Sequence, residues 1–162
     1  MKERILLSVV VAGVLALGIV GVCLAGIEPV PWEPEINKLH SIELNIAAIE
    51  KRLVKLDELE ALPEGTVNYL NAMENKLGVL DTRLADTLYL LPPYNELDME
   101  TQEEVYLALD AIRSDASGME VIFSRIAERM GVDPVPWRPV LASIVGRIDG
   151  YIRTTKPVDT LP

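Results

Sequence analysis

The sequence is poor in the side chains that most often carry chemistry. Its 162 residues include one cysteine and one histidine. The single cysteine, Cys23, excludes an intramolecular disulfide. The single histidine, His40, cannot supply the two histidines of a ferritin-like di-iron bundle, and the position three residues before it is Asn37. We therefore interpret His40 as an exposed structural residue and predict no metal site and no cofactor.

Sequence motifs of catalysis are missing as well. Neither Gly-x-Ser-x-Gly nor Ser-x-x-Lys occurs in the chain. With one histidine and one cysteine, the chain has few groups for acid–base or nucleophilic work near neutral pH. We predict no catalytic residues. An enzyme with a carboxylate-only mechanism is the third and least favoured class of function.

Aromatic residues are few: one Phe, two Trp and five Tyr, although 49% of the chain is hydrophobic. The core must therefore be aliphatic, which suits packed helices better than a sheet sandwich. No strand-like alternation of useful length appears. The sequence predicts an all-α fold.

Positive charge is scarce in the middle of the chain, and the formal net charge is −10. Residues 57–104 carry twelve acids against two bases, Lys76 and Arg83. Such a segment repels phosphate backbones, so we predict that the protein does not bind nucleic acid. We interpret the acids as a solvated face, and the alternative is attraction of a basic partner or of divalent cations.

Residues 1–27 predict a membrane anchor or a signal segment. No charged residue occurs from Ile5 to Ile27, a length that spans a bilayer core as a helix. Bases precede this run and acids follow it, which favours an N-terminus in the cytoplasm. Three fates stay open: retention as an anchor, cleavage after Ala25, and lipidation at Cys23. Each of them places the remaining chain outside the cytoplasm, at the cell membrane or secreted into the periplasm or beyond.

A proline-rich motif occurs twice. Residues 28–34 read Glu-Pro-Val-Pro-Trp-Glu-Pro, and residues 133–139 read Asp-Pro-Val-Pro-Trp-Arg-Pro. We interpret the first copy as a stiff connector. Trp32 and Trp137 either cover the ends of a bundle or form an interaction surface, because tryptophan is favoured at binding hot spots and at membrane interfaces.

Apolar residues at steps of three and four predict helices over residues 35–61, 66–91, 102–131 and 138–154. Short turns between them favour an antiparallel bundle of three long helices and one shorter helix over residues 35–154, followed by a tail at 155–162. Ile46, Leu77 and Phe123 lie on the apolar faces and are predicted to be buried. Thr101 and Glu104 predict a capping box, and Gly131 a helix stop.

These patterns favour a membrane-anchored, extracytoplasmic bundle that acts through protein–protein contacts, as an accessory subunit, a scaffold or a self-assembling surface component. The predicted partners are the membrane, through the N-terminal helix, and another protein or a second copy. The alternative is a small-molecule-binding or sensory bundle in the cell envelope, since bundles also hold apolar ligands between their helices.

Overall fold

A computed structural model describes residues 32–133 and 137–153. Four α-helices account for most of this part: α1 (Glu33–Asp57), α2 (Thr66–Leu90), α3 (Met99–Met130) and α4 (Arg138–Arg153). A short 3₁₀ helix, Tyr94–Glu96, lies between α2 and α3. The described ranges contain no strand. The predicted all-α fold, with three long helices and one shorter one, is confirmed for this part of the chain.

The predicted apolar faces form the core. Ile46 and Leu77 are fully buried and Phe123 is 2% exposed, as the spacing predicts. Val67 is an exception, because its side chain is 40% exposed. Thr66 is buried in its place, and its hydroxyl donates a hydrogen bond to Pro63 O at 2.7 Å across the turn.

The start of α3 differs from the predicted capping box. The N-cap is Asp98, whose Oδ1 accepts a hydrogen bond from Thr101 N at 3.0 Å and whose Oδ2 accepts one from Thr101 Oγ1 at 2.6 Å. Thr101 is thus a buried residue inside the first turn, and Glu104 is free to contact α1. The predicted cap was wrong by three residues because aspartate is an equally good N-cap.

The predicted stop at Gly131 is confirmed. Its φ of 66° lies in the left-handed region, where a residue without a Cβ meets little steric resistance. Gly131 N donates to Glu128 O and Val132 N donates to Ala127 O, each at 3.0 Å. This pattern satisfies the last carbonyl groups of α3 as a Schellman motif.

Contacts between side chains show that α1 and α3 are parallel neighbours. His40 near the start of α1 meets Glu104 near the start of α3 at 3.1 Å. Asp57 at the end of α1 meets Arg125 near the end of α3 at 2.7 Å. The helices α2 and α4 are parallel neighbours too, since Trp137 bonds to Asn71 and Tyr151, near the end of α4, donates to Pro92 O just after α2.

The other two neighbouring pairs are antiparallel. In α3 and α4, Phe123 stacks on Trp137, and Arg113 meets Asp149 at 3.4 Å. In α1 and α2, which a short turn joins, Lys38 shares a hollow with Leu90 at the far end of α2. The helices therefore alternate in direction along the chain, as predicted, but their order around the bundle is α1–α2–α4–α3.

This order puts α2 and α3 on a diagonal, so the segment that joins them, residues 91–98, crosses one end of the bundle. Leu91 and Leu97 of this segment are buried. Tyr94 packs edge-on against Tyr151 with ring centroids 6.2 Å apart, and its hydroxyl donates to Gln102 O at 3.1 Å. Burial raises the pKa of Tyr151 to about 12, because the apolar surroundings disfavour a phenolate.

Several predictions fall on residues outside the described ranges: the membrane or signal segment 1–27, most of the connector 28–34, and the tail from residue 154. Of the connector, Glu33 and Pro34 belong to α1. Among the described helices, none combines the length and apolar character needed to cross a membrane.

Candidate functional site

Trp137 lies in the core where α4 begins. Its side chain is 2% exposed, its ring stacks on Phe123 with centroids 5.5 Å apart, and its Nε1 donates to Asn71 Oδ1 at 3.2 Å. Trp137 thus covers the core, one of the two roles that the repeated motif left open. In this arrangement its ring is closed to an external partner.

Trp32 is the other tryptophan predicted as an interaction residue. It directly precedes α1, its side chain is 38% exposed, and its φ of 73° is rare for a bulky residue. An interaction through Trp32 stays a prediction.

His40 belongs to a polar network between α1 and α3 rather than standing alone. Its Nδ1 lies 3.2 Å from Glu43 Oε2 and its Nε2 lies 3.1 Å from Glu104 Oε1. The hydrogen bond with Glu104, followed by that with Glu43, raises the pKa of His40. Two carboxylate acceptors, one on each ring nitrogen, favour the doubly protonated imidazolium.

Two carboxyl groups, Glu50 and Asp115, continue this network along the same pair of helices. Burial, with a contribution from the charge of Asp115, raises the pKa of Glu50. Burial, followed by the charge of Glu43, raises the pKa of Asp115. The interaction of the two carboxyl groups raises the pKa of Glu50 further and counteracts part of the rise in the pKa of Asp115.

The network is not arranged as a metal centre. Within the described ranges, no group of three or more His, Cys, Asp or Glu side chains has an arrangement that could hold a metal ion. The network is better described as a titratable seam between two parallel helices.

The cations of the described chain fall into two sets. Seven of them have an ion-pair partner: Lys38, Arg113, Arg125, Arg129, Arg138, Arg147 and Arg153. All except Lys38 lie on α3 or α4. In the described part of the chain, the other five have no such partner, and all five are exposed residues of α1 or α2: Lys51, Arg52, Lys55, Lys76 and Arg83.

Three of these unpaired cations border one hollow between α1 and α2, which we call the central hollow. It has a volume of about 450 Å³ and is bordered by Arg52 from α1 and by Lys76 and Arg83 from α2. The remaining lining residues are two amides and four apolar residues: Asn45, Asn75, Ala48, Ile49, Val79 and Leu80. Among the described residues, no carboxylate lines it. In a chain of net charge −10, this is a locally cationic site with an apolar floor.

Two further hollows extend the central hollow in both directions. Arg83 also borders a hollow of about 390 Å³ that reaches Lys38. Arg52 also borders one of about 470 Å³ that reaches Lys55 and Tyr69, with the most apolar lining of the three. The three neighbouring hollows follow one another along the hairpin and share Arg83 and Arg52 in their linings. We call this row of hollows the α1–α2 groove. Only Asp86 in the first and Glu64 in the second add a carboxylate to their walls.

The sequence interpretation missed this groove. It counted Lys76 and Arg83 only as two bases within an acidic segment, because a charge count along the chain does not show which residues share a helix face. Their spacing could have indicated the groove. Seven residues apart on one helix, Lys76 and Arg83 lie on the same side, next to the apolar face.

Comparison of the chain with protein-family models, with curated proteins and with solved structures finds no match in any of the three.

Proposed function

We propose that this protein is a membrane-anchored, extracytoplasmic helical bundle that acts by binding another protein. The observation that carries the proposal is the α1–α2 groove. Four of its five cations, Arg52, Lys55, Lys76 and Arg83, have no ion-pair partner in the described part of the chain, while the cations of α3 and α4 are paired. Cations at a groove with exposed apolar side chains, such as Val79 at 53%, are available to an external partner. The charge-free segment 5–27, with bases before it and acids after it, supports the anchoring and the external location.

The test is a pull-down from detergent-solubilised membranes with the full chain as bait. We expect a specific protein to be recovered with the wild type and lost with the double variant Arg52→Glu, Lys76→Glu. Lys51→Glu is the matched control, because Lys51 is also exposed and unpaired but lies outside the groove lining. Recovery of no partner, or of the same proteins with both variants, would count against the proposal.

The second candidate is binding of a small amphipathic anion in the central hollow. The volume of about 450 Å³ falls within the range of ligand pockets, and three cations beside an apolar floor suit a carboxylate or phosphate with an apolar tail. Native mass spectrometry of the purified full chain tests this candidate. A bound molecule of constant mass that is lost in the Lys76→Glu variant would favour it over protein binding.

A further inference from the structure

The α1–α2 groove has a shape that favours one class of protein partner. It runs from Lys38 to Lys55 along α1, about 26 Å at the rise of 1.5 Å per residue. It is open to solvent and bordered by side chains from two antiparallel helices. Small-molecule sites enclose most of their ligand, whereas an open trough of this length accommodates about five turns of a third helix.

Charge complementarity specifies the partner's flanks. The central hollow is bordered by three cations and, among the described residues, by no carboxylate. Lys76 and Arg83 lie two helical turns apart on α2, with Arg52 facing them from α1. A helix lying between them satisfies all three with acidic side chains along its edges, also two turns apart.

The apolar floor specifies the partner's inner face. Ile49 and Leu80 are buried at the base of the central hollow, while Val79 is 53% exposed and Tyr69 further along is 38% exposed. An amphipathic helix packs against such an apolar floor through apolar residues at positions i, i+3, i+4 and i+7. The cationic walls and the apolar floor thus require different faces of the same helix.

Pairing of this groove with the same groove of a second copy is disfavoured. A two-fold contact would bring the surface of one copy against the identical surface of the other. Arg52, Lys76 and Arg83 would then face the same three cations, and like charges would repel.

We propose that the α1–α2 groove binds an acidic amphipathic helix of a partner protein. This inference rests on the proposed protein-binding function and adds the site and the chemistry of the partner. The bound helix lies along the groove with its apolar stripe on Val79 and its acidic edges against Arg52, Lys76 and Arg83.

The test uses the full chain in detergent and three labelled synthetic peptides of about 18 residues, five helical turns. The first carries leucines at helical spacing flanked by glutamates, the second has the same composition in scrambled order, and the third has lysines in place of the glutamates. Fluorescence anisotropy reports binding. We expect the first peptide alone to bind, and rising salt to weaken it because exposed charges are screened.

Charge reversal then locates the site. Lys76→Glu and Arg83→Glu should each weaken the acidic peptide about fivefold at low salt, a change consistent with exposed ion pairs. The control Lys51→Glu should leave binding within about twofold of the wild type, because Lys51 lies outside the groove lining and an exposed charge without a direct contact contributes little. The double variant Lys76→Glu, Arg83→Glu should bind the lysine peptide instead. Circular dichroism checks that each variant is folded.

Three results would overturn the inference. Equal binding of the scrambled peptide would show non-specific attraction, and equal weakening by Lys51→Glu would place the site elsewhere. Self-association of the full chain that the acidic peptide does not displace, but Lys76→Glu abolishes, would assign the groove to a second copy.

A photo-crosslinker separates failure of this inference from failure of the proposed function. It is placed at Val79 in the groove or at Leu107, which is 61% exposed on α3, in the full chain in its native membrane. A crosslinked partner peptide with acidic flanks and an apolar stripe from Val79 supports the inference. A partner captured from Leu107 alone overturns it while the protein-binding function stands, and capture from neither position counts against both.

Discussion

The two tryptophans of the repeated proline-rich motif lie in different environments. Trp137 stacks on Phe123 and bonds to Asn71, whereas Trp32 is 38% exposed beside a left-handed backbone. The repeated motif gives no hint of this difference, because the partners of Trp137 lie 66 and 14 positions away along the chain. Periodicity, in contrast, is local, which is why Ile46, Leu77 and Phe123 could be identified as buried from the sequence.

Trp137→Ala should be strongly destabilising. The substitution removes a buried ring and leaves a cavity over Phe123, so the free energy of unfolding should fall by about 3–5 kcal/mol. Urea denaturation followed by far-ultraviolet circular dichroism measures this change. Trp32→Ala is the matched control and should change the unfolding free energy by less than about 1 kcal/mol. Equal effects of the two variants would show that burial of Trp137 does not stabilise the fold.

Ile46 and Leu44 offer a second matched pair, two positions apart on α1. Ile46 is fully buried and Leu44 is 70% exposed. We expect Ile46→Ala to lower the free energy of unfolding by about 2–5 kcal/mol and Leu44→Ala to leave it within about 0.5 kcal/mol. A larger loss from Leu44→Ala, seen in the same denaturation experiment, would mean that α1 turns a different face to the core.

At the scale of whole helices, the α1–α3 pair has a distinctive polar seam. His40 is held between Glu43 and Glu104, and the carboxyl groups of Glu50 and Asp115 interact with each other further along. All three shifts, in His40, Glu50 and Asp115, raise the pKa above its ordinary value. The folded state therefore binds protons more tightly than the unfolded state at each group.

This seam predicts a protein that becomes more stable on mild acidification. His40 contributes stability that is present below about pH 6.5, its unfolded pKa, and is lost as the pH rises through the raised value. Glu50 and Asp115 act in the same direction at lower pH, because their raised pKa values make the ionised pair unfavourable in the fold. We expect a higher melting temperature at about pH 5.5 than at about pH 8.

The Glu50→Gln variant isolates the carboxyl pair. A neutral amide removes the repulsion, so the variant should melt higher than the wild type at about pH 8 and gain less on acidification. Glu128→Gln, an exposed site on the same helix as Asp115, is the control and should keep the wild-type dependence. A wild type that loses stability between pH 8 and 5.5 would contradict the directions of these pKa shifts.

The sequence predicted the helices well and their arrangement only in part. The observed helix ends differ from the predicted ones by a few residues, because several neighbouring residues can act as the N-cap, as Asp98 does for α3. The order of the helices around the bundle could not be predicted from the spacing of apolar residues, because residues 91–98 are long enough either to join adjacent helices or to cross the bundle. The α1–α2 groove does not depend on that order, because a short turn already makes α1 and α2 neighbours. The sequence could not show which acids pair with other helices: Asp57 pairs with Arg125 of α3 and Asp81 with Arg147 of α4.

At the scale of the whole molecule, ion pairing is distributed unevenly between the two hairpins. On α3 and α4 every lysine and arginine in the described ranges has an acidic partner, while on α1 and α2 most have none. A molecule of net charge −10 is repelled by most acidic proteins at long range. Under the proposed function, an acidic helix would bind where the cations lack internal partners, so the pairing pattern favours approach from the α1–α2 side.

The predicted topology places residues 28–162 outside the cytoplasm. Protease added to intact spheroplasts should digest this part, because the bases at Lys2 and Arg4 favour an orientation with the N-terminus in the cytoplasm. Immunoblotting with an antibody to the bundle follows the digestion, and a cytoplasmic marker protein must survive as the control. A bundle that resists protease until the cells are lysed would place it in the cytoplasm and exclude an external partner.

Residues 91–98, which cross the bundle diagonally, are the only covalent connection between its two helical hairpins, α1–α2 and α3–α4. Each hairpin is continuous in sequence, and Tyr94 and Tyr151 hold the crossing segment by packing rather than by covalent bonds. A backbone break at Asn95, which is exposed, should therefore leave a complex that stays assembled through the buried Leu, Ile and Phe side chains. Fragments 28–95 and 96–162, expressed as separate polypeptides, should recover the helical circular dichroism of the intact bundle when mixed. The protein would then be a natural candidate for split reporters, in which proximity of two fusion partners restores one fold.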